Sequence, residues 1–144
     1  MSKQFSVAIA ILYRQNQFLM QLRDDIPGIL YPGHWGLFGG HIEPGELPDV
    51  AVVRELQEEI SYTPPIISKF GCYSDTRVVR HVYHAPLTVE LDRLVLHEGW
   101  DFGLLTPEQI LQGECYSEKA QDTKPLGTPH QKILLDFIKL KLYS

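Results

Sequence analysis

The chain has 144 residues, 44% of them hydrophobic and 22% charged, which suffices for one real core and excludes a disordered or fibrous chain. A net charge of −5 excludes the broad basic footprint that a nucleic-acid polymer requires. Cys72 and Cys115 are too few for a disulfide framework and form no CxxC pair, so they read as reduced thiols in a cytoplasmic protein. The opening MSKQFSVAIAILYRQNQ carries only a short apolar run, which reads as neither a signal peptide nor a membrane span.

Phe5 to Tyr13 is a nearly continuous apolar, β-branched run, which predicts a buried strand. A polar turn at 14–17 and a second strand at Phe18 to Leu22 complete a hairpin. Residues 24–33 (DDIPGILYPG) hold two prolines and two glycines and read as a loop. A glycine-rich stretch follows, Gly39-Gly40-His41-Ile42-Glu43-Pro44-Gly45-Glu46, and then a helical run from Leu47 to Tyr62. Pro48 suits a first helical turn, although Leu47 is a poor cap. On that helix Glu55, Glu58 and Glu59 share one face, within an arc of roughly 100°. Val53, Leu56 and Ile60 are expected on the core side, and Ala51 among the carboxylates leaves room for another backbone. Like charges at this spacing repel, and a divalent cation between them would turn repulsion into coordination. Glu46 is placed to meet Arg54, whose planar fork pairs well with a carboxylate.

The spacing Gly40, five residues, Glu46, seven residues, Arg54-Glu55-Leu56, one residue, Glu58-Glu59 resembles the Nudix box of the Nudix (MutT-like) hydrolases. The motif covers Gly40 to Tyr62, 23 residues of the chain. Ser61 stands where the family usually has glycine, Tyr62 where it has an aliphatic residue, and Phe38 where a proline often precedes the double glycine. The resemblance implies an αβα sandwich, with a mixed β-sheet between the box helix and a C-terminal helix. It implies that the carbonyl of Gly40 and the side chains of Glu55, Glu58 and Glu59 hold Mg²⁺ or Mn²⁺, as oxygen donors suit hard cations. Glu58 or Glu59 is then the general base, with Glu98 as a remote alternative, while Arg54 orients Glu46 and a ligand carboxylate. Arg23 is implied to contact substrate phosphates; its bland alternative is a surface ion pair with Asp24 or Asp25.

Beyond the box helix, Pro64-Pro65 ends the element. Strands are expected at Ile66 to Tyr73, Val78 to Ala85 and Leu94 to Leu96. His81 and His84 alternate with Val82 and Tyr83 as ordinary strand residues do. Thr106-Pro107-Glu108-Gln109 is a capping box that starts a short helix. Residues 113–127 are polar and read as mobile, a lid or a loose loop. Thr128 is expected to cap a final helix that buries Ile133, Leu134, Phe137 and Ile138. No repeat or linker divides the chain, so residues 1–144 read as one α/β domain.

The expected activity is metal-dependent hydrolysis of a pyrophosphate bond in a nucleoside diphosphate derivative, first of all a (deoxy)nucleoside triphosphate. ADP-ribose, another nucleotide sugar or a dinucleoside polyphosphate is the alternative substrate. A catalytically inactive Nudix ligand-binding module would have lost box glutamates, yet all are present; an unrelated acidic domain would show no metal dependence. The partner is a small-molecule nucleotide, with no nucleic-acid polymer and no membrane, and a homodimer stays open. Tyr31, Trp35, Tyr73, Tyr83 and Trp100 are aromatic candidates for stacking on a base or for packing, with Trp35 taken as the substrate contact.

Overall fold

The computed structural model describes residues 4–140. Its strands are β1 (Phe5–Arg14), β2 (Gln17–Leu22), β3 (Trp35–Gly36), β4 (Phe38–His41), β5 (Ser68–Ser74), β6 (Val78–Pro86), β7 (Asp101–Leu105), β8 (Glu114–Ser117) and β9 (Asp122–Pro125). Its helices are α1 (Pro48–Ile60), α2 (Pro107–Gln112) and α3 (Thr128–Leu140), with a 3₁₀ turn at Leu91–Arg93. The fold is α/β, with a mixed sheet and three helices, and none of the described helices is long and apolar enough to cross a membrane. The chain forms two compact units, residues 1–12 with 38–95 and residues 13–37 with 96–144.

In the first unit β4 runs antiparallel to β1, pairing Val7 with His41 and Ala8 with Gly40. β6 lies beside β1, and β5 pairs antiparallel with β6 through a bulge between Lys69 and Gly71. α1 packs against β4 and β6. It buries Ala51, Val52, Leu56, Glu59 and Ile60, so Val52 takes the place expected of Val53. Helical geometry explains Glu59: seven residues turn the chain to within about 20° of Val52, which puts it on the core face. The turn before β6 is built on Asp75, which accepts the amides of Arg77 and Val78 (both 2.8 Å) and pairs with Arg80 at 2.8 Å. Arg80 is only 3% exposed, and a charge that deep needs such a partner.

In the second unit β7 pairs with β2 from Phe18 opposite Leu105 to Leu22 opposite Asp101. The other edge of β2 therefore serves the tail of β1, at Tyr13 and Arg14, and then β3. Phe18, Leu19, Met20, Leu22, Leu105, Ile110, Ile133, Leu134 and Phe137 are buried here, with the Phe137 ring packed against Tyr13 and edge-on to Phe18. α2 has the full capping box, with Thr106 and Gln109 each bonding the other's backbone.

Four further expectations are corrected. On the last helix Ile133, Leu134 and Phe137 are buried, but Ile138 is only partly so. No strand forms at 94–96; the strand of that region is β7, between Asp101 and Leu105. The stretch 113–127 is a β8–β9 hairpin, tied by Leu126 N–H to the Gly113 carbonyl at 2.8 Å. At the last helix Gly127, not Thr128, accepts the first intrahelical amide, from Gln131 at 3.0 Å.

The β1–β2 turn holds Gln15 at φ 52°, exposed and in the left-handed region, which a side chain enters at about 1–2 kcal/mol. Gln15→Gly removes that strain but adds backbone entropy to the unfolded chain, about 0.5–1 kcal/mol. The expected outcome is a net gain, with the melting temperature up by roughly 2 °C in a thermal melt. A fall would mean that the turn is not strained.

Candidate active site

The first turns of α1 and the loop before it are joined by one side chain. Arg54 Nε donates to Glu46 Oε2 at 2.7 Å and Nη2 to Glu46 Oε1 at 2.9 Å, a bidentate pair. Nη2 also donates to the His41 carbonyl at 3.0 Å, and Nη1 to Glu55 Oε1 at 3.1 Å and Glu58 Oε2 at 3.2 Å. Each of the five guanidinium N–H donors thus has an acceptor. Glu46 in turn closes its own turn, accepting the Glu43 amide at 3.0 Å while its N–H reaches the Glu43 carbonyl at 2.9 Å.

The electrostatics follow from these contacts. Hydrogen bonds from Arg54, and then from the Glu43 amide, hold the Glu46 carboxyl down from 4.5 to about 2. The same pair raises the Arg54 guanidinium further above its ordinary value. Glu55 moves the other way, pushed up by burial that Arg54 offsets only in part.

Backbone geometry supplies the rest. Gly39 lies at φ 144° and a Cβ there would strike the Ala8 carbonyl, so only glycine fits. Its amide donates to Glu59 Oε1 at 2.9 Å, which explains how a carboxylate 8% exposed is accommodated on the core face of α1. At Gly40 an added Cβ would lie 2.5 Å from the Glu55 carboxylate, so glycine is what lets strand and carboxylate approach. At the far end of the helix Ser61 takes the left-handed cap position, φ 54°, and its N–H reaches the Gln57 carbonyl at 3.1 Å. The departure from glycine therefore falls at the cap, after the last glutamate.

Glu46, Arg54, Glu55, Glu58, Glu59 and Gly40 are thus brought together in the first unit. As they stand, no three His, Cys, Asp or Glu side chains among the described residues converge as a metal cluster, because Glu55 and Glu58 lean on Arg54 and Glu59 on the Gly39 amide. The donor set still fits a hard divalent ion: it is all oxygen, and the glycine cradle at Glu55 leaves the backbone close by. The His41 carbonyl and Gly39 amide had no side-chain signal, and sequence reasoning missed both.

Arg23, Trp35 and Glu98 belong to the second unit. Arg23 makes no ion pair with Asp24 or Asp25, and its Nε is buried without a hydrogen-bond partner among the described residues. Trp35 is 2% exposed, paired with Leu22 on β2, and its Nε1 donates to the Cys115 carbonyl at 3.0 Å. Glu98 is exposed in the loop before β7.

The family model described as NUDIX domain matches residues 3–124. The chain belongs to the Nudix hydrolase family. The ADP-ribose pyrophosphatase of Methanocaldococcus jannaschii is 38% identical over 133 residues, 91% of this chain and 71% of that protein. A Bacillus subtilis relative is 30% identical over 82 residues, 56% of this chain, and the match spans about half (51%) of its length. The 8-oxo-dGTP diphosphatase of Escherichia coli K12 is 62% identical over 32 residues, 22% of this chain and 25% of that one. Among solved structures, a MutT Nudix hydrolase from Burkholderia pseudomallei shares the fold, with TM-score 0.71 at 20% identity over 94% of this chain and 98% of that one.

Two outcomes test the Arg54 hub. Glu46→Gln and Arg54→Lys should each lower turnover, up to ~100-fold, since small displacements of positioned groups have effects of that size. The double variant should be little worse than the more damaged single; fully additive losses would mean the residues work separately. The second outcome concerns pH. A carboxyl depressed from 4.5 to about 2 stabilises the fold above pH 4.5 and loses that contribution as pH falls toward 2. The melting-temperature gap between wild type and Glu46→Gln should therefore be constant above pH 4.5 and close between pH 4.5 and about 2.

Proposed function

We propose that the protein hydrolyses a pyrophosphate bond in a nucleoside diphosphate derivative, at the glycine loop and acidic face of α1. The observation that carries this is the Arg54 hub, which holds Glu46, Glu55, Glu58 and the His41 carbonyl together where β4, with Gly39 and Gly40, meets α1. Family membership supports small-molecule nucleotide substrates and divalent-metal dependence. Residues 1–144 are read as one Nudix hydrolase domain, in keeping with a family match that runs through both compact units.

Mg²⁺ or Mn²⁺ would be held by the Gly40 carbonyl with Glu55, Glu58 and Glu59, where it would neutralise the pyrophosphate and acidify an attacking water. The chain's own residues do the remaining work. Arg54 keeps the carboxylates from swinging apart and ties the loop to the helix. Glu59 is oriented by the Gly39 amide, whereas Glu58, its side chain 59% exposed, has the freedom to take a proton from water. Glu58 or Glu59 is the proposed base, with Glu98 as the alternative. Arg23, with its unpartnered Nε, is proposed to meet the substrate phosphates. Trp35, taken from the sequence as a substrate contact, is 2% exposed and tied to the Cys115 carbonyl, which supports the packing alternative for it instead.

A (deoxy)nucleoside triphosphate is the first substrate reading, supported by the name of the Escherichia coli relative. ADP-ribose is the second, favoured by a specific observation: the relative named for it matches over 91% of this chain. The box residues handle any pyrophosphate, so selectivity must come from outside them. A release assay with Mg²⁺ or Mn²⁺ over dGTP, 8-oxo-dGTP, ADP-ribose and a dinucleoside polyphosphate decides between them. Glu58→Gln, nearly isosteric, should lose turnover on the best substrate by at least ~100-fold while melting changes little. An unfolded variant, or full activity without added metal, would sink the assignment.

A further inference from the structure

We infer that Phe5, the first residue of β1, is a positioning residue for the Arg54 hub, through the His41 ring that stacks on it. The inference rests on the proposed role of that hub. β1 and β4 pair Val7 with His41, and one residue on, the Ile42 N–H donates to the Ser6 carbonyl at 3.0 Å. Antiparallel pairs alternate between bonded and non-bonded, so Val7 and His41 share no ladder bond, and the His41 carbonyl turns away from β1. Arg54 Nη2 takes that carbonyl at 3.0 Å. The Gly39 amide, two residues back, turns outward in the same way and reaches Glu59 at 2.9 Å.

Apart from its chain neighbours, what holds His41 to β1 is its side chain. Phe5 stands two residues before Val7, the diagonal position across the strand pair, which an aromatic ring can reach. The two rings are stacked, their centroids 4.9 Å apart and their planes 19° from parallel. Phe5 is itself anchored from the far side. Its N–H donates to the Arg77 carbonyl at 3.0 Å, and the Arg77 amide is held by Asp75 at 2.8 Å. His41 is exposed and Phe5 half-buried, so the core does not supply this restraint. Removing the Phe5 ring therefore frees the end of β4, and with it the carbonyl by which Arg54 binds strand to helix. Every residue in this series of contacts belongs to the first unit.

The test uses the full chain labelled with ¹⁵N, in wild type, Phe5→Leu, Phe5→Tyr and His41→Ala. Leucine keeps apolar bulk without a ring, tyrosine keeps the ring, and alanine removes the other half of the stack while leaving the carbonyl. In Phe5→Leu the Arg54 Nε–H resonance should shift, and the Ile42 amide should exchange with solvent at least ~10-fold faster. Its kcat on the best nucleotide of the panel should fall ~5-fold at little-changed KM, and Phe5→Tyr should restore both readouts. His41→Ala should reproduce the loss, and adding Phe5→Leu to it should lower kcat little further, since both act through one contact. An unchanged Arg54 resonance in a folded leucine variant, a lower melting temperature with unchanged kcat, or fully additive losses overturns the proposal. If leucine does not fold, His41→Ala decides, because an unchanged Arg54 resonance there overturns it too. If no panel nucleotide is hydrolysed, the proposed function fails while the Arg54 resonance still judges Phe5.

Discussion

Three glutamates within five residues of one helix are a liability unless something holds them. Here a single guanidinium on the same helix does so, and the rest of the site depends on it. Arg54 spends two donors on Glu46, one on the His41 carbonyl, and one each on Glu55 and Glu58. Repulsion along the acidic face is thereby offset, and the glycine loop is bound to the helix that follows it. Lysine could supply the charge but not the planar fork that reaches separated acceptors at once.

The hub depends on glycine where strand and carboxylates meet. Gly39 and Gly40 are set in β4 opposite Ile9 and Ala8; a Cβ on Gly39 would strike the Ala8 carbonyl, and one on Gly40 would push the Glu55 carboxylate from its place. The buried carboxylates answer to different causes. Glu59 sits on the core face of α1 with the Gly39 amide as donor, whereas Glu55 is partly desolvated and its charge is opposed by burial. A group so placed gains from a cation more than an exposed one does, which suits the proposed ligand role.

The second unit is built around anchoring β3. Trp35 is tied by its ring nitrogen to Cys115, by its carbonyl to Gly127, and by strand pairing to Leu22, while the next amide but one, that of Leu37, is taken by His130. The β8–β9 hairpin contributes through Ser117, whose hydroxyl donates to Asp101 at 2.7 Å at the start of β7, and through Lys124, which lies over the Trp100 ring. What read as a loose polar stretch is thus bound to its neighbours at several points.

Strong local signals were legible in the sequence. The apolar run of β1, the capping box at Thr106 and the glycine–glutamate–arginine spacing of the box each lie within a few residues, and each was found with its type. The candidate site was legible to the same extent, since Glu46, Arg54 and the three helix glutamates are all close in sequence. What tertiary structure decided was whatever depends on a distant partner. β7 shows no alternation of its own and exists because Phe18–Leu22 pairs with it across some eighty residues of chain. β8 and β9 are mostly exposed, so they carry no apolar period to read. The choice of Val52 over Val53, the burial of Glu59 and the bond from Leu37 to His130 likewise turn on which face meets the core and which backbone donors lack a strand partner. Local chemistry marks where an element begins and which side chains share its face; long-range pairing settles which of those faces is buried, because the buried amides and carbonyls must all find partners.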